Sequence, residues 1–199
     1  MEYLENIKDY TDYIRDKKIC LLGSGDSLNN YKIEFKNYDV IVGINRIYRT
    51  DIGQKLNVLY HNASPYDILY SKNKFAEDLA EKLKYIIFIP ALRQTYRRFK
   101  EFHEFMLSNY NNKIIADLRF ASLQSKKFKY KLLTGISALI HLILIEPKTI
   151  DIYGYDFYEK EYYNNLPNKP GKLKNHNIVE NKKIFINIIK NSNNIKHFV

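Results

Sequence analysis

The stretch KICLLGSGDSLNN, residues 18–30, has the residue types of a phosphate-binding turn. A short apolar run leads into Gly23, Ser24, Gly25, Asp26 and Ser27, and a polar segment follows. A strand, a glycine turn and a helix in this order commonly hold a phosphate, because backbone N–H groups at the helix start face the anion. The pattern therefore predicts a ligand that carries a phosphate group.

Two well-known versions of such a turn do not fit. The dinucleotide-binding pattern needs a third glycine where Leu28 stands, and an acidic residue after the second strand, which instead ends in Gly43-Ile44-Asn45. The phosphate loop of many ATPases needs a Gly-Lys-Ser/Thr triple, which this chain lacks. NAD binding is therefore disfavoured, and ATP hydrolysis through that loop is excluded.

Polar residues also follow several other predicted strands. Asn45 follows the second strand, His61, Asn62 and Ser64 follow the third, and Gly154 and Asp156 follow the last. Taken singly, such residues are usually helix caps or turn residues. In a parallel sheet, however, these strand ends share one edge. Since an amide both donates and accepts hydrogen bonds, asparagines there could read the edge of a pyrimidine.

Apolar runs alternate with helical patterns along the chain, which predicts an α/β domain with a mostly parallel sheet and helices on both faces. An amphipathic helix is expected at the N-terminus, and the helix over 134–146 is central because it is apolar nearly all round, with Thr134 as its N-cap and Pro147 after its end. The remaining elements are strands at 18–22, 39–44, 56–60, 84–89, 112–116 and 149–153, and helices at 66–83, 95–109 and 176–191.

The bulk composition is that of a soluble globular protein. The chain has 199 residues, 45% of them hydrophobic and 27% charged, which suits one domain. The single cysteine, Cys20, excludes an intramolecular disulfide and is expected to be a buried thiol. No apolar run approaches the ~18 residues of a membrane span, so a cytoplasmic location is expected. The net charge of +10 favours anionic partners, but compositional bias toward lysine could also produce it.

The ordered set of runs LLGSGDSLN, DVIVGINRIY, LYHNASP, LLTGISALIHLILIE and IDIYGYDFYEKEYY resembles the bacterial sialyltransferases of the Campylobacter type, glycosyltransferase family 42. The resemblance extends over residues 18–163, with a further match near His176. It implies a Rossmann-like fold and a CMP-activated sialic acid, or a related acidic sugar, as donor. A glycan or glycolipid would be the acceptor.

The resemblance assigns the donor site to five parts of the chain. Ser24 and Gly25, with Asp26 and Ser27 beside them, would lie next to the cytidine and phosphate. Asn45 would contact the nucleotide. Asn62, with His61 as the alternative, would lie near the donor sugar and phosphate. Thr134 and Gly135, at a helix start that favours anions, would receive the sialic carboxylate. The residues that would cradle cytidine and ribose are Gly154, Asp156 and Phe157.

The resemblance also assigns the catalytic groups. Tyr158 and Tyr162 would donate hydrogen bonds to the leaving phosphate, with Tyr163 competing for the second role, and His176 would be the general base. Phenol hydroxyls aimed at the phosphate can replace a metal ion, and the chain has no Asp-x-Asp motif. The expected reaction is therefore inverting transfer with no metal and no cofactor. Glu180, four residues after His176, could orient that histidine if both lie on one helix face.

Three departures from the family pattern qualify these assignments. The segment before His176 is shorter than the family's lid, and residues 159–175 are expected to form a short mobile lid of the single domain 1–199. Ser24 replaces an asparagine. Asp26 replaces a proline, which puts a negative charge near a phosphate site unless it caps the following helix and points away. The other histidines have ordinary expectations: His141 in the core, His103 on a helix surface and His197 in a tail.

Two other functions remain open on this sequence. A nucleotide-binding or sugar-nucleotide-binding domain without transfer activity is suggested by the short lid. A basic nucleic-acid-binding module is suggested by the charge and the tyrosines, but no RNA-recognition signature supports it. Peripheral contact with a membrane surface and homo-oligomer formation are further partner hypotheses, and the sequence decides neither.

Overall fold

The computed structural model describes residues 2–61, 83–88, 114–116, 120, 127–128, 132–157 and 177–198. Within these ranges the chain forms seven strands and three α-helices, joined in part by short 3₁₀ helices. The strands are β1 (Lys18–Leu22), β2 (Val40–Ile44), β3 (Val58–His61), β4 (Tyr85–Phe88), β5 (Ile114–Ala116), β6 (Thr149–Tyr153) and β7 (Ile195–Phe198). The helices are α1 (Glu2–Ile14), α2 (Thr134–Ile145) and α3 (Ile178–Lys190).

The strands form one sheet in the order β5-β4-β3-β2-β1-β6-β7, and every described pair is parallel. The chain builds outward from β1 to β5 on one side and then returns to place β6 on the other side of β1. In open parallel sheets, ligands bind beyond the carboxyl ends of the strands at such a reversal. The expected place for a site is therefore above the ends of β1 and β6.

The two faces of the sheet are covered differently. The α-helices α1, α2 and α3 pack on one face, against residues such as Leu21, Val42 and Ile152. On the other face, residues 26–56 supply short 3₁₀ helices and loops that pack against Cys20, Leu22 and Leu59. The strands β1, β2 and β3 are thus buried on both faces, which explains why their sequences are almost continuously apolar.

A buried polar chain connects three elements of the helical face. The hydroxyls of Tyr10 on α1 and Tyr60 on β3 are hydrogen-bonded at 2.8 Å, and the Tyr60 hydroxyl also pairs with Nδ1 of His141 on α2 at 2.8 Å. Burial disfavours a phenolate, so it raises the pKa of Tyr10 well above its usual range. The prediction that His141 is a satisfied core residue is confirmed, and so is the burial of Cys20.

Most of the predicted elements within the described ranges are confirmed, and four details differ. The segment after the glycine turn is a 3₁₀ helix, Asp26–Asn30. The N-cap of α2 is Leu133, so the assignment of Thr134 as the cap is wrong. Helix α3 begins at Ile178 with Asn177 as its N-cap, later than predicted. His197 lies in the strand β7 instead of a tail. The bodies of the predicted helices 66–83 and 95–109 lie outside the described residues.

Candidate functional site

Two turns face each other where the strand order reverses. The glycine turn, Gly23–Ser27, follows β1, and the aspartate turn, Gly154–Phe157, follows β6. The N–H of Gly23 donates to the carbonyl of Tyr153 at 2.8 Å, and the N–H of Gly25 donates to the carbonyl of Gly154 at 2.9 Å. These bonds extend the contact between β1 and β6 beyond the sheet, so the two turns are held together at its carboxyl edge.

A carboxylate completes the connection between these turns. The N–H of Ser27 donates to Oδ2 of Asp156 at 2.8 Å, and the Ser27 hydroxyl donates to Oδ1. A Cβ added at Gly25 would come within 2.5 Å of the Asp156 carboxyl group, so only glycine leaves room for this approach. Both oxygens of Asp156 are thus engaged by one residue that lies far away in the sequence.

Much of the backbone of the glycine turn is therefore already hydrogen-bonded within the protein. The N–H groups of Gly23, Gly25 and Ser27 are bonded to the end of β6 and to Asp156. Asp26 does not cap its 3₁₀ helix, because its Oδ1 accepts from Nδ2 of Asn29 at 2.6 Å. A phosphate at this edge would have to be bound largely by donors other than those three N–H groups.

Such donors occur at the start of α2. The N–H groups of Thr134, Gly135 and Ile136 precede the first α-helical hydrogen bond, in which the Ser137 N–H donates to the Leu133 carbonyl at 2.9 Å. The apolar side chain of Leu133, the N-cap residue, caps none of them. The Leu133 N–H donates instead to Oδ1 of Asn181 on α3, at 2.8 Å. The helix start is thus held by a distant part of the fold.

The aspartate turn reaches the same helix start through Tyr155. This tyrosine is buried, and its hydroxyl donates to the Gly135 carbonyl at 3.1 Å. Burial raises the pKa of Tyr155 well above its usual value, so the hydroxyl stays protonated and remains a donor. A Cβ at Gly135 would lie 2.8 Å from the Tyr155 ring. The aspartate turn therefore contacts both the glycine turn and the start of α2.

Two residues next to the site have left-handed backbone. Asn45, which follows β2 and is half-buried, has φ 48°, and Phe157, which ends the aspartate turn, has φ 51°. Asparagine tolerates this conformation, but a bulky residue such as phenylalanine adopts it at a cost of about 1–2 kcal/mol. The Phe157 ring packs against Phe185 of α3, with centroids 5.1 Å apart, and this contact offsets part of the cost.

His197 lies beside this aromatic contact. Its ring meets Phe185 edge to face, with centroids 4.7 Å apart, and its Nε2 is buried with no hydrogen-bond partner in the described part of the chain. Burial lowers the pKa of His197, and the negative charge of Asp156 opposes that shift. The imidazole is therefore close enough to the aspartate turn for the carboxylate of Asp156 to stabilise its protonated form.

The described donor-site residues are brought together in part. The aspartate turn contacts both the glycine turn and the start of α2, and these three parts contain Ser24, Gly25, Asp26, Ser27, Thr134, Gly135, Gly154, Asp156 and Phe157. Asn45 lies at the same edge of the sheet, directly after the neighbouring strand β2. Asn62, Tyr158, Tyr162, Tyr163 and His176 lie outside the described residues, so their roles remain predictions. His61, the alternative to Asn62, is fully buried.

Glu180 lies in the first turn of α3, which begins at Ile178. It accepts a hydrogen bond from Nζ of Lys183 at 2.8 Å, near the surface. Residue 176 lies outside the described residues, so the suggestion that Glu180 orients His176 remains a prediction.

Sequence inspection missed Tyr155, Asn181 and His197, and one of them left a signal. Asn181 occurs at the buried position of α3 that precedes Phe185 by one helical turn. A polar residue on the apolar face of a helix indicates a buried hydrogen bond. Tyr155 is one of 18 tyrosines, and nothing in the local sequence distinguishes it.

The described residues contain neither a candidate metal site nor a candidate membrane-spanning helix. No group of three or more histidine, cysteine, aspartate or glutamate side chains there could hold a metal ion. None of the described helices is both long enough and apolar enough to cross a membrane. Metal independence and location remain predictions.

Comparison with known proteins identifies the fold. No protein-family model matches the chain, and no curated protein matches it. Solved structures do match. The sialyltransferase CstII from Campylobacter jejuni in complex with cytidine-5'-monophosphate has 18% identity and a TM-score of 0.57, with 89% of this chain and 77% of that chain covered.

Two further structures agree with this match. The monofunctional alpha-2,3-sialyltransferase Cst-I from Campylobacter jejuni has 17% identity and a TM-score of 0.60, with 90% of this chain and 74% of that chain covered. The sialyltransferase CST-II in complex with trisaccharide acceptor and CMP has 19% identity and a TM-score of 0.58, with 87% and 77% covered. The Rossmann-like fold implied by the sequence resemblance is confirmed, and the chain shares it with these sialyltransferases.

Proposed function

We propose that this protein transfers sialic acid, or a related acidic sugar, from a CMP-activated donor to a hydroxyl of a glycan or glycolipid. The observation that carries the proposal is the contact network between the glycine turn, the aspartate turn and the start of α2. These are three of the parts that the sequence resemblance assigned to the donor, and they join through Ser27–Asp156 and Tyr155–Gly135. Structures of the same fold bind CMP and a trisaccharide acceptor.

In this proposal, different parts of the edge bind different groups of the sugar nucleotide. The start of α2 has N–H groups without helical acceptors and suits an anion, which supports binding of the sugar carboxylate there. Asn45 directly follows the neighbouring strand β2, and an amide has the donor and acceptor that reading a pyrimidine requires. The Asp156 carboxylate still has lone pairs beyond those that Ser27 uses, and these can accept from a ribose hydroxyl.

The chemistry we propose needs no metal. The bond between the anomeric carbon and the phosphate oxygen breaks, and CMP leaves with the electron pair. The acceptor oxygen forms its bond to the opposite face of that carbon, which inverts the configuration. His176 takes the proton that the acceptor hydroxyl loses, and the hydroxyls of Tyr158 and Tyr162 donate to the phosphate oxygens where charge develops.

A panel of nucleotides tests the donor class. Because a ligand that binds only the folded state raises its stability, CMP should raise the melting temperature more than UMP, GMP or NAD at equal concentration. Incubation with CMP-sialic acid and an oligosaccharide should then release CMP and extend the oligosaccharide. Release that persists with a chelator present would support a reaction without metal, and release abolished by the chelator would contradict it.

Substitution of the proposed base tests whether the chain is a transferase. His176→Ala should retain CMP binding and lose CMP release, since only the proton acceptor is removed. Tyr158→Phe and Tyr162→Phe should each slow release, with Tyr163→Phe as the matched comparison. If the unaltered chain binds CMP selectively but never releases it from CMP-sialic acid, the protein is a nucleotide-binding domain. Salt-dependent RNA binding without mononucleotide preference would contradict both readings.

A further inference from the structure

The side chain of Asn181 joins the starts of two helices. Asn181 is fully buried on α3. Its Oδ1 accepts from the N–H of Leu133, the N-cap of α2, at 2.8 Å. Its Nδ2 donates to the carbonyl of Asn177, the N-cap of α3, at 2.9 Å. One amide thus bridges two backbone groups that lie far apart in the sequence.

This bridge depends on the chemistry of an amide. The Leu133 N–H is among the first four N–H groups of α2, which have no acceptor within the helix. Burying such a group without a partner costs about 1–3 kcal/mol. Leucine has a similar size, but its side chain bonds to neither backbone group, and aspartate can accept from Leu133 but cannot donate to Asn177. Asparagine meets both requirements at once.

The two ends of the bridge lie next to different parts of the proposed site. Leu133 directly precedes Thr134 and Gly135, where we place the sugar carboxylate. Asn177 directly follows His176 in the chain, the proposed general base. Asn177 is also fixed from its own helix, because its Oδ1 accepts from the Glu180 N–H at 3.1 Å and its carbonyl accepts from the Asn181 N–H at 3.0 Å. The bridge therefore ends, in sequence, next to the residues proposed for the sugar carboxylate on one side and next to the proposed base on the other.

We infer that Asn181 is a positioning residue for transfer, which sets the start of α3, and with it the residue that precedes Asn177, relative to the donor site at the start of α2. The inference rests on the proposed function. Misplacement of a reacting group by about 1 Å can lower a rate about a hundredfold, so a rigid bridge here affects turnover more than nucleotide binding. The effect is transmitted through the backbone, since Asn181 itself is buried away from solvent.

Two substitutions separate the ends of the bridge. Asn181→Asp keeps an acceptor for the Leu133 N–H but places a second acceptor against the Asn177 carbonyl, so the bond that it removes is the one at the α3 end. We expect kcat to fall about tenfold or more, with the dissociation constant of CMP, which has no carboxylate, within about twofold of the unaltered chain. Asn181→Leu removes both bonds, so we expect kcat to fall and the donor KM to rise as well.

Asn57 supplies a matched control. Its Oδ1 accepts from the Ile41 N–H at 2.8 Å, a bond of the same kind and length, but between the beginnings of β2 and β3, at the opposite edge of the sheet. Asn57→Asp and Asn57→Leu should lower thermal stability and leave kcat and the donor KM near their original values. All assays are run well below the melting temperature of the least stable variant, so that unfolding does not account for lost activity.

The outcomes separate the inference from the function on which it rests. Unchanged kcat in Asn181→Asp would overturn the inference, and so would equal losses of kcat and CMP affinity, or the same kcat loss in Asn57→Asp. If Asn181→Leu does not fold, the aspartate variant decides alone. If the unaltered chain neither binds CMP nor releases it from CMP-sialic acid, the proposed function fails and the inference fails with it.

Discussion

Tyr155 and Gly135 fit together at the start of α2. The phenol hydroxyl donates to the Gly135 carbonyl at 3.1 Å, and the ring occupies the space that a Cβ at position 135 would need. The accepting carbonyl belongs to the same peptide unit as the Ile136 N–H, one of the first N–H groups of the helix. Hydrogen bonds in series polarise one another, so the tyrosine strengthens that N–H as a donor as well as orienting it.

Removal of this hydroxyl should affect the donor sugar more than the nucleotide. We expect Tyr155→Phe to weaken binding of CMP-sialic acid about five- to tenfold, which corresponds to roughly 1 kcal/mol, because the N–H group proposed for the carboxylate is less well held. CMP has no carboxylate, so its affinity should hardly change. Titration with each ligand measures the difference.

Tyr38→Phe is the control for this prediction. The Tyr38 hydroxyl also makes partly buried bonds, donating to Asp151 at 2.8 Å, but Tyr38 packs on the opposite face of the sheet. This variant should lower stability without changing the ratio of the two affinities. An equal loss of CMP and CMP-sialic acid affinity in Tyr155→Phe would contradict the assignment of the carboxylate to α2.

Gly135→Ala tests the packing of the same pair. Alanine favours a helix over glycine by about 1 kcal/mol, so without a neighbour the substitution would stabilise the protein. The added Cβ would lie 2.8 Å from Cε1 of Tyr155, and overpacking of this kind costs about 1–3 kcal/mol. We therefore expect a net loss of stability by urea unfolding. The double variant Gly135→Ala/Tyr155→Leu should recover part of it, and a stabilised single variant would show that the ring moves freely.

The Ser27–Asp156 contact predicts that substitution of Asp156 lowers the free energy of unfolding more than substitution of Ser27. Asp156→Asn replaces one accepting oxygen by an NH₂ group that faces a Ser27 donor, so it should lower the free energy of unfolding by about 2–3 kcal/mol. Ser27→Ala loses only the hydroxyl bond and keeps the N–H bond at 2.8 Å, so about 1 kcal/mol is expected. CMP affinity should fall in the same order. The reverse order would indicate that the serine hydroxyl acts directly on the ligand.

The sequence predicted β1 and β6 at their observed bounds because each has neighbours on both sides in the parallel sheet and buries a recognisable apolar set, four consecutive residues in β1 and Ile150, Ile152 and Tyr153 in β6. Strand β7 was missed for the converse reason. It is a four-residue edge strand that includes an exposed lysine and a histidine, so its sequence lacks that pattern. Only the pairing with β6 shows that His197 is part of the sheet.

The sequence predicted where the site lies on the sheet, but it did not predict which of its residues bond to each other. Strand ends in a parallel sheet must share an edge, which is why residues after β1, β2 and β6 could be grouped in advance. Which of them bond to each other depends on tertiary distances that one sequence does not contain. The N-cap of α2 illustrates this: Thr134 has the capping side chain, but Asn181 satisfies the N–H of Leu133, and the helix starts one residue earlier than the cap signal indicates.

His197 should make the protein less stable in acid. Burial lowers its folded-state pKa below the ordinary value of 6.5, so the unfolded chain binds more protons in this range. Stability from this group is therefore complete above about pH 6.5 and is lost as the pH falls through the lowered folded value. His197→Phe should flatten that dependence. It should also raise stability at neutral pH, because phenylalanine keeps the edge-to-face contact with Phe185 and removes a buried nitrogen that has no partner among the described residues.

Urea unfolding at pH 7.5 and pH 5.0 measures this effect as the difference between the unaltered chain and the variant, since contributions from all other groups are common to both. Lys196→Gln is the control, because Lys196 is the exposed neighbour of His197 on β7. The control should keep the acid sensitivity of the unaltered chain. If His197→Phe keeps it too, the acid sensitivity comes from another group, and the proximity of His197 to Asp156 has no consequence for stability.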